Sequence, residues 1–145
     1  MKGYPRWFSA RLITSVCTIA FLSGALLLPT TFEMRLEWEV PWRLANDHRT
    51  WVVAFHVLCG YVLVSVLGAL WSIHMRVGWR RKQKQTSGAL LVFISAFLAV
   101  TGIGIYYLAN EKAQAFDSLL HAVAGVILLP LYVRHLYQKK SVRER

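Results

Sequence analysis

Four long apolar runs constrain this chain more than any other feature, because a run of ~20 apolar residues is what crosses ~30 Å of hydrocarbon. They lie at 12–28, 51–73, 87–108 and 116–137, joined on one side by a longer loop at 29–50. Over 145 residues 56% are hydrophobic and only 17% charged, against ~25% charged in a soluble domain, and the charges are gathered between the runs. The expected architecture is a single all-α domain, 1–145, folded as a transmembrane four-helix bundle. The first run follows basic residues as a secretory signal would, but it is long and no A-x-A site follows it, so a retained helix is expected.

Orientation comes from the basic residues. Lys2, Arg6 and Arg11, then Arg76, Arg80, Arg81, Lys82 and Lys84, then Arg134, Lys139, Lys140, Arg143 and Arg145 account for 13 of the 17 on one side. The other side has Arg35, Arg43, Arg49 and Lys112, with six of the seven acids. The positive-inside rule places both termini in the cytoplasm. Trp38, Trp42 and Trp51 then form an outer aromatic belt, and Trp7, Trp71 and Trp79 an inner one. Basic residues that flank apolar spans in this way are topology signals, so nucleic acid is not an expected partner. Cys17 and Cys59 sit inside the runs without a Cys-x-x-Cys or Cys-x-x-Cys-His pattern, which excludes a disulfide scaffold, a zinc ribbon and covalent c-type haem.

The first hairpin reads as a copy of the second. Ser9, Ser23 and Gly24 recur as Ser87, Thr101 and Gly102, each displaced by 78. His56 with Gly60 recurs as His121 with Gly125, displaced by 65. The difference is the extra length of the first loop, as expected for an internal duplication of a helical hairpin.

The repeated positions carry chemistry, because an ionisable residue in a span is costly and points to function. On the second span His56 and His74 are 18 residues apart, five whole turns at 100° per residue. On the fourth, His121 and His135 are 14 apart, again on one face and separated by ~21 Å. These two spans run in the same direction, so His56 is expected level with His121 and His74 with His135. Paired histidines across a bundle core suit a low-spin haem iron, whose axial positions imidazoles fill. Two levels imply two b-type haems, the inner pair being less well matched in depth. The first and third spans must supply space: Gly24 and Gly102 at the outer level, Gly88 at the inner level opposite Ala10, and Gly60 and Gly125 one turn from the outer ligands. Small residues also serve close helix packing, and histidines at helix ends also snorkel. His48, in the loop, reads as a solvated residue.

These residues resemble the small four-helix di-haem cytochromes b, similar to the b-type subunits of bacterial hydrogenases and dehydrogenases and to the haem bundle of cytochrome bc complexes. The resemblance runs from about Arg11 to His135 and rests on His56 with Gly60, Ser87-Gly88, Thr101-Gly102, and His121 with Gly125 and His135. The His56–His74 interval is longer than the pattern, the Pro-Glu-Trp-Tyr quinol motif is missing, and the first span has no histidine. The resemblance implies a quinone or quinol at one end, a periplasmic partner redox protein at the other, and the bacterial inner membrane as location.

No stretch is left over for a flavin, iron–sulfur, nicotinamide or molybdenum domain, so the expected role is a membrane anchor and electron-transfer subunit of a hetero-oligomeric respiratory complex, with substrate chemistry elsewhere. The loop at 29–50, where charges alternate with Phe32, Leu36, Trp38, Val40 and Trp42, suits docking or an interfacial amphipathic segment. Two other readings stay open: a haem-free membrane scaffold, and a transition-metal transporter using the same histidines.

Overall fold

A computed structural model describes residues 8–82 and 84–138. Lys2, Arg6, Trp7, Lys139, Lys140, Arg143 and Arg145, used above for orientation and the inner belt, lie outside the described residues. The helices are α1 (Ala10–Leu36), α2 (Asn46–Leu70), α3 (Arg76–Arg80), α4 (Gln85–Tyr107) and α5 (Glu111–Tyr137), with a π-helical turn at Trp71–Met75 joining α2 to α3. No strand occurs among the described residues. The four long helices are each apolar enough to cross a membrane, and the chain is an all-α transmembrane four-helix bundle.

Helix ends follow local chemistry. Ser9 caps α1 by accepting from Leu12 N at 3.3 Å, and Asn110 caps α5 by accepting from Ala113 N at 3.0 Å. The bounds correct one expectation: the segment 29–50 is mostly helix, leaving only 37–45 between α1 and α2. Hydropathy marks where lipid contact ends, whereas a helix continues until its backbone is capped. Here Glu37 turns left-handed at φ 55°, Trp38 N donates back to Phe32 O at 3.2 Å, and the Phe32 and Trp38 rings pack 5.5 Å apart. The left-handed residue and the hydrophobic clasp are those of a Schellman-like end, with the bond reaching one residue further back. Pro29 and Pro130 lie inside α1 and α5, as transmembrane helices tolerate.

The interior is polar and small, the exterior apolar and large. Ser23, Thr30, Ser87, Ser95, Thr101 and Ser118 are buried, while Leu22, Tyr61, Phe93, Val100 and Val126 face outward. Lipid tails are as apolar as leucine, so small hydroxyl residues that let backbones approach, rather than bulky ones, hold such helices together. Trp38, Trp42 and Trp51 are exposed at the end bearing the two hairpin loops; Trp71 and Trp79 are exposed at the opposite, terminal end. A small apolar cluster of Phe8, Ile13, Val66 and Leu70 closes the terminal end, beside a 2.8 Å hydrogen bond between Thr14 and Tyr132.

α1 packs on α2 and α5, and α4 packs on α5 and α2. Around the bundle α2 and α5 therefore stand diagonally opposed, as do α1 and α4. One diagonal carries the histidines, and the other carries Gly24, Gly88 and Gly102, the glycines that lie against their rings.

Candidate functional site

His56 on α2 and His121 on α5 meet across the first diagonal, with ring centres 6.2 Å apart and planes at 83°. Each ring is held by the neighbouring helix of its own hairpin. His56 Nδ1 is 2.9 Å from Ser23 Oγ of α1, and His121 Nδ1 is 2.9 Å from Thr101 Oγ1 of α4. The glycine that follows each hydroxyl lies against the same ring. A Cβ on Gly24 would stand 2.9 Å from His56 Cε1, and one on Gly102 would stand 3.4 Å from His121 Cε1. The two hairpins thus repeat one hydroxyl–glycine–histidine arrangement, as the duplication predicts.

The hydroxyls favour a proton on the near ring nitrogen. Ser23 Oγ donates to Ala20 O at 3.0 Å, and Thr101 Oγ1 to Phe97 O at 2.9 Å. A hydroxyl has one proton, so its contact with Nδ1 has the imidazole N–H as donor. Nε2 of each neutral ring then keeps its lone pair for a ligand. Metal-bound histidines are oriented in this manner, the far nitrogen donating to a fixed acceptor.

A third copy lies nearer the terminal end. His135 Nδ1 is 2.8 Å from Ser87 Oγ, and a Cβ on Gly88 would stand 3.7 Å from His135 Cε1. Ser87 Oγ also lies 3.2 Å from Lys84 O and 2.8 Å from Gln138 Oε1. Lys84 adds its ammonium to His135 O at 2.6 Å and Leu136 O at 3.2 Å, where a cation meets the negative end of α5.

His74 breaks the pattern. It sits on the π turn, exposed, and within electrostatic range of Lys84 and His135. Partial desolvation, with the nearby Lys84 charge, holds its imidazole below the ordinary range. The π turn also corrects the face arithmetic. It takes up about one residue more than an α turn without extra rise, so 18 residues climb as about 17 would, and the ring is rotated by up to ~100° from the His56 face. The depth mismatch with the His121–His135 interval shrinks to about three residues, or ~4.5 Å. Ser9, the fourth hydroxyl of the duplication, accepts from Leu12 N, and Ala10 is exposed at the start of α1.

The residues present fit a haem held at the His56–His121 level. Two imidazoles ligating one ion from opposite sides at about 2.0 Å have ring centres about 6 Å apart, the separation found. Gly60 and Gly125, each one turn toward the terminal end, have no heavy atom within 4 Å of where a Cβ would stand, so space is open beside both ligands. Among the described residues no group of three or more His, Cys, Asp or Glu side chains converges as a multi-ligand metal site would require. The sequence reading used Ser23, Ser87 and Thr101 only as marks of duplication and missed them as ring partners. The signal was there: each precedes a glycine and stands one histidine-level from its neighbour. No family model, curated protein or solved structure matches this chain.

Proposed function

We propose that this chain is a b-type cytochrome, serving as the membrane anchor and electron-transfer subunit of a redox complex in the bacterial inner membrane. The observation that carries this reading is the His56–His121 pair: rings 6.2 Å apart, each Nδ1 2.9 Å from the hydroxyl of Ser23 or Thr101, and glycines where the rings and a flat cofactor need room. His56 and His121 would hold one haem. His135, set against Ser87 and Gly88, with His74 would hold a second about 20 Å away along the bundle.

Haem held by His56 and His121 would supply reversible one-electron chemistry. The chain's own residues hold the rings, keep Nε2 unprotonated, and exclude water with an apolar, lipid-facing exterior. Two such centres would carry electrons between a quinone pool at one face and a partner redox protein, proposed to be periplasmic, at the other. A transporter's cation would call for three or four protein ligands at one point; the two-residue pairing favours a porphyrin, which brings the remaining four nitrogens itself.

The test is the reduced-minus-oxidised spectrum of the purified protein, with a pyridine haemochrome count per chain. A b-type α-band supports the reading. A haem-free protein that still folds as a helical bundle supports the scaffold instead.

A further inference from the structure

A carboxylate with one oxygen unpartnered stands just beyond the histidine pair. Asp117 precedes His121 by four residues on α5, about 6 Å of helix rise toward the hairpin end. Its Oδ2 is closed off from solvent and has no hydrogen-bond partner. The carboxylate is pressed against α4 so closely that any Cβ on Gly104 would collide with it. A second orphaned oxygen is Thr30 Oγ1 on α1, a residue only 4% exposed. Arg35 of α1 bonds Gln114 of α5, which sets the register of the two helices. Thr30, five residues in from Arg35, and Asp117, three in from Gln114, thus share nearly one depth.

No charged group around Asp117 stands in ion-pair contact with it among the described residues. On α5 its neighbours are His121 one turn inward and Glu111 and Lys112 near the helix start, with neutral Gln114 between. On α4 the facing segment 101–107 has no charged residue, only Tyr106 and Tyr107, both exposed. On α1, Glu33 is paired with Arg43 at 3.3 Å and Arg35 with Gln114. On α2 the titratable groups toward this end are His56, Arg49, His48 and Asp47. Among the described residues no cation forms an ion pair with Asp117. A carboxylate oxygen shut off from solvent in a membrane span is costly unless compensated, and added negative charge one helical turn away raises that cost in a medium of low dielectric.

Resting on the haem reading above, we propose that Asp117 takes up a proton when the haem held by His56 and His121 gains an electron, so that this centre is proton-coupled. One electron from an external donor reduces ferric to ferrous iron. One proton from water at the hairpin end converts the Asp117 carboxylate to the carboxylic acid, and oxidation reverses both. Charge at this depth is then unchanged by the electron's arrival.

The experiment is a spectroelectrochemical titration of the full-length, haem-loaded protein across the neutral pH range. The potential of one haem should fall with rising pH, approaching ~59 mV for each tenfold drop in proton concentration, the one-electron equivalent. Asp117→Asn should flatten that slope and Asp117→Glu should restore it. Haem with a potential that ignores pH, or a slope that survives Asp117→Asn, overturns the proposal while leaving the haem reading intact. If Asp117→Asn does not retain haem, proton uptake per electron in the wild-type protein, followed with an indicator dye, decides: one proton supports the proposal and none overturns it. A preparation without any haem band overturns both.

Discussion

The imidazoles of His56 and His121 stand 6.2 Å apart at 83°, each anchored by a hydroxyl from the other helix of its own hairpin. Because the two anchors come from α1 and α4, the geometry of the pair depends on all four long helices. Neither hairpin alone could build it.

Replacing either histidine should therefore be selective. On the haem reading, His56→Ala or His121→Ala would leave one iron short of a histidine, and the low-spin spectrum of one haem should vanish while that of the other persists. Optical and electron paramagnetic resonance spectra of the purified variants check this. Two intact low-spin haems in both variants would remove the pairing.

The hydroxyls should tune without abolishing. Thr101→Val keeps volume but removes the acceptor for His121 Nδ1–H, and Ser23→Ala does the same for His56. Loss of such an outer-shell partner typically weakens metal binding by 10- to 100-fold. Haem affinity should fall by about that factor with a shifted potential, measured by haem transfer to an apo-acceptor and by redox titration. Unchanged affinity and potential would mean the hydroxyls serve helix packing only.

The glycines should rank by closeness. An added Cβ meets a ring at 2.9 Å for Gly24, 3.4 Å for Gly102 and 3.7 Å for Gly88. Gly24→Ala must displace His56, Gly102→Ala asks a small adjustment, and Gly88→Ala fits in ordinary contact. Haem content should fall in that order, and the larger Gly102→Leu should cost ~1–3 kcal/mol by overpacking. Equal haem occupancy across the three alanine variants would contradict the ranking.

A variant away from the site should separate stability from spectrum. Asn110→Ala removes the side-chain cap of α5 and should cost roughly 1 kcal/mol. The melting temperature in detergent should drop, with the haem spectrum unchanged below the transition.

Much of this was legible in the sequence because membrane spans are written in composition and their functional residues stand out as exceptions. The four helices and the depth match of His56 with His121 follow from hydropathy and the 3.6-residue period; Gly24, Gly88 and Gly102 were marked as room for a porphyrin, and it is histidine rings that they lie against. Two things were not legible. Helix bounds past the membrane depend on caps: α1 runs to Leu36 because Glu37 adopts a left-handed turn, which no hydropathy window reports. The π turn at Trp71–Met75 changes the phase of His74 relative to His56, and counting residues at a fixed 100° cannot see it. Asp117 was visible as a charge in a span, but its missing partner is a property of the packed bundle.

The central claim is that this bundle holds b-type haem between its diagonal histidines, and a haem-to-chain ratio tests it most directly. The purified protein, expressed with haem supply, should show a b-type α-band on reduction and a pyridine haemochrome ratio of two haems per chain, falling to one in His56→Ala. A folded, helical protein with no haem at all would contradict the account.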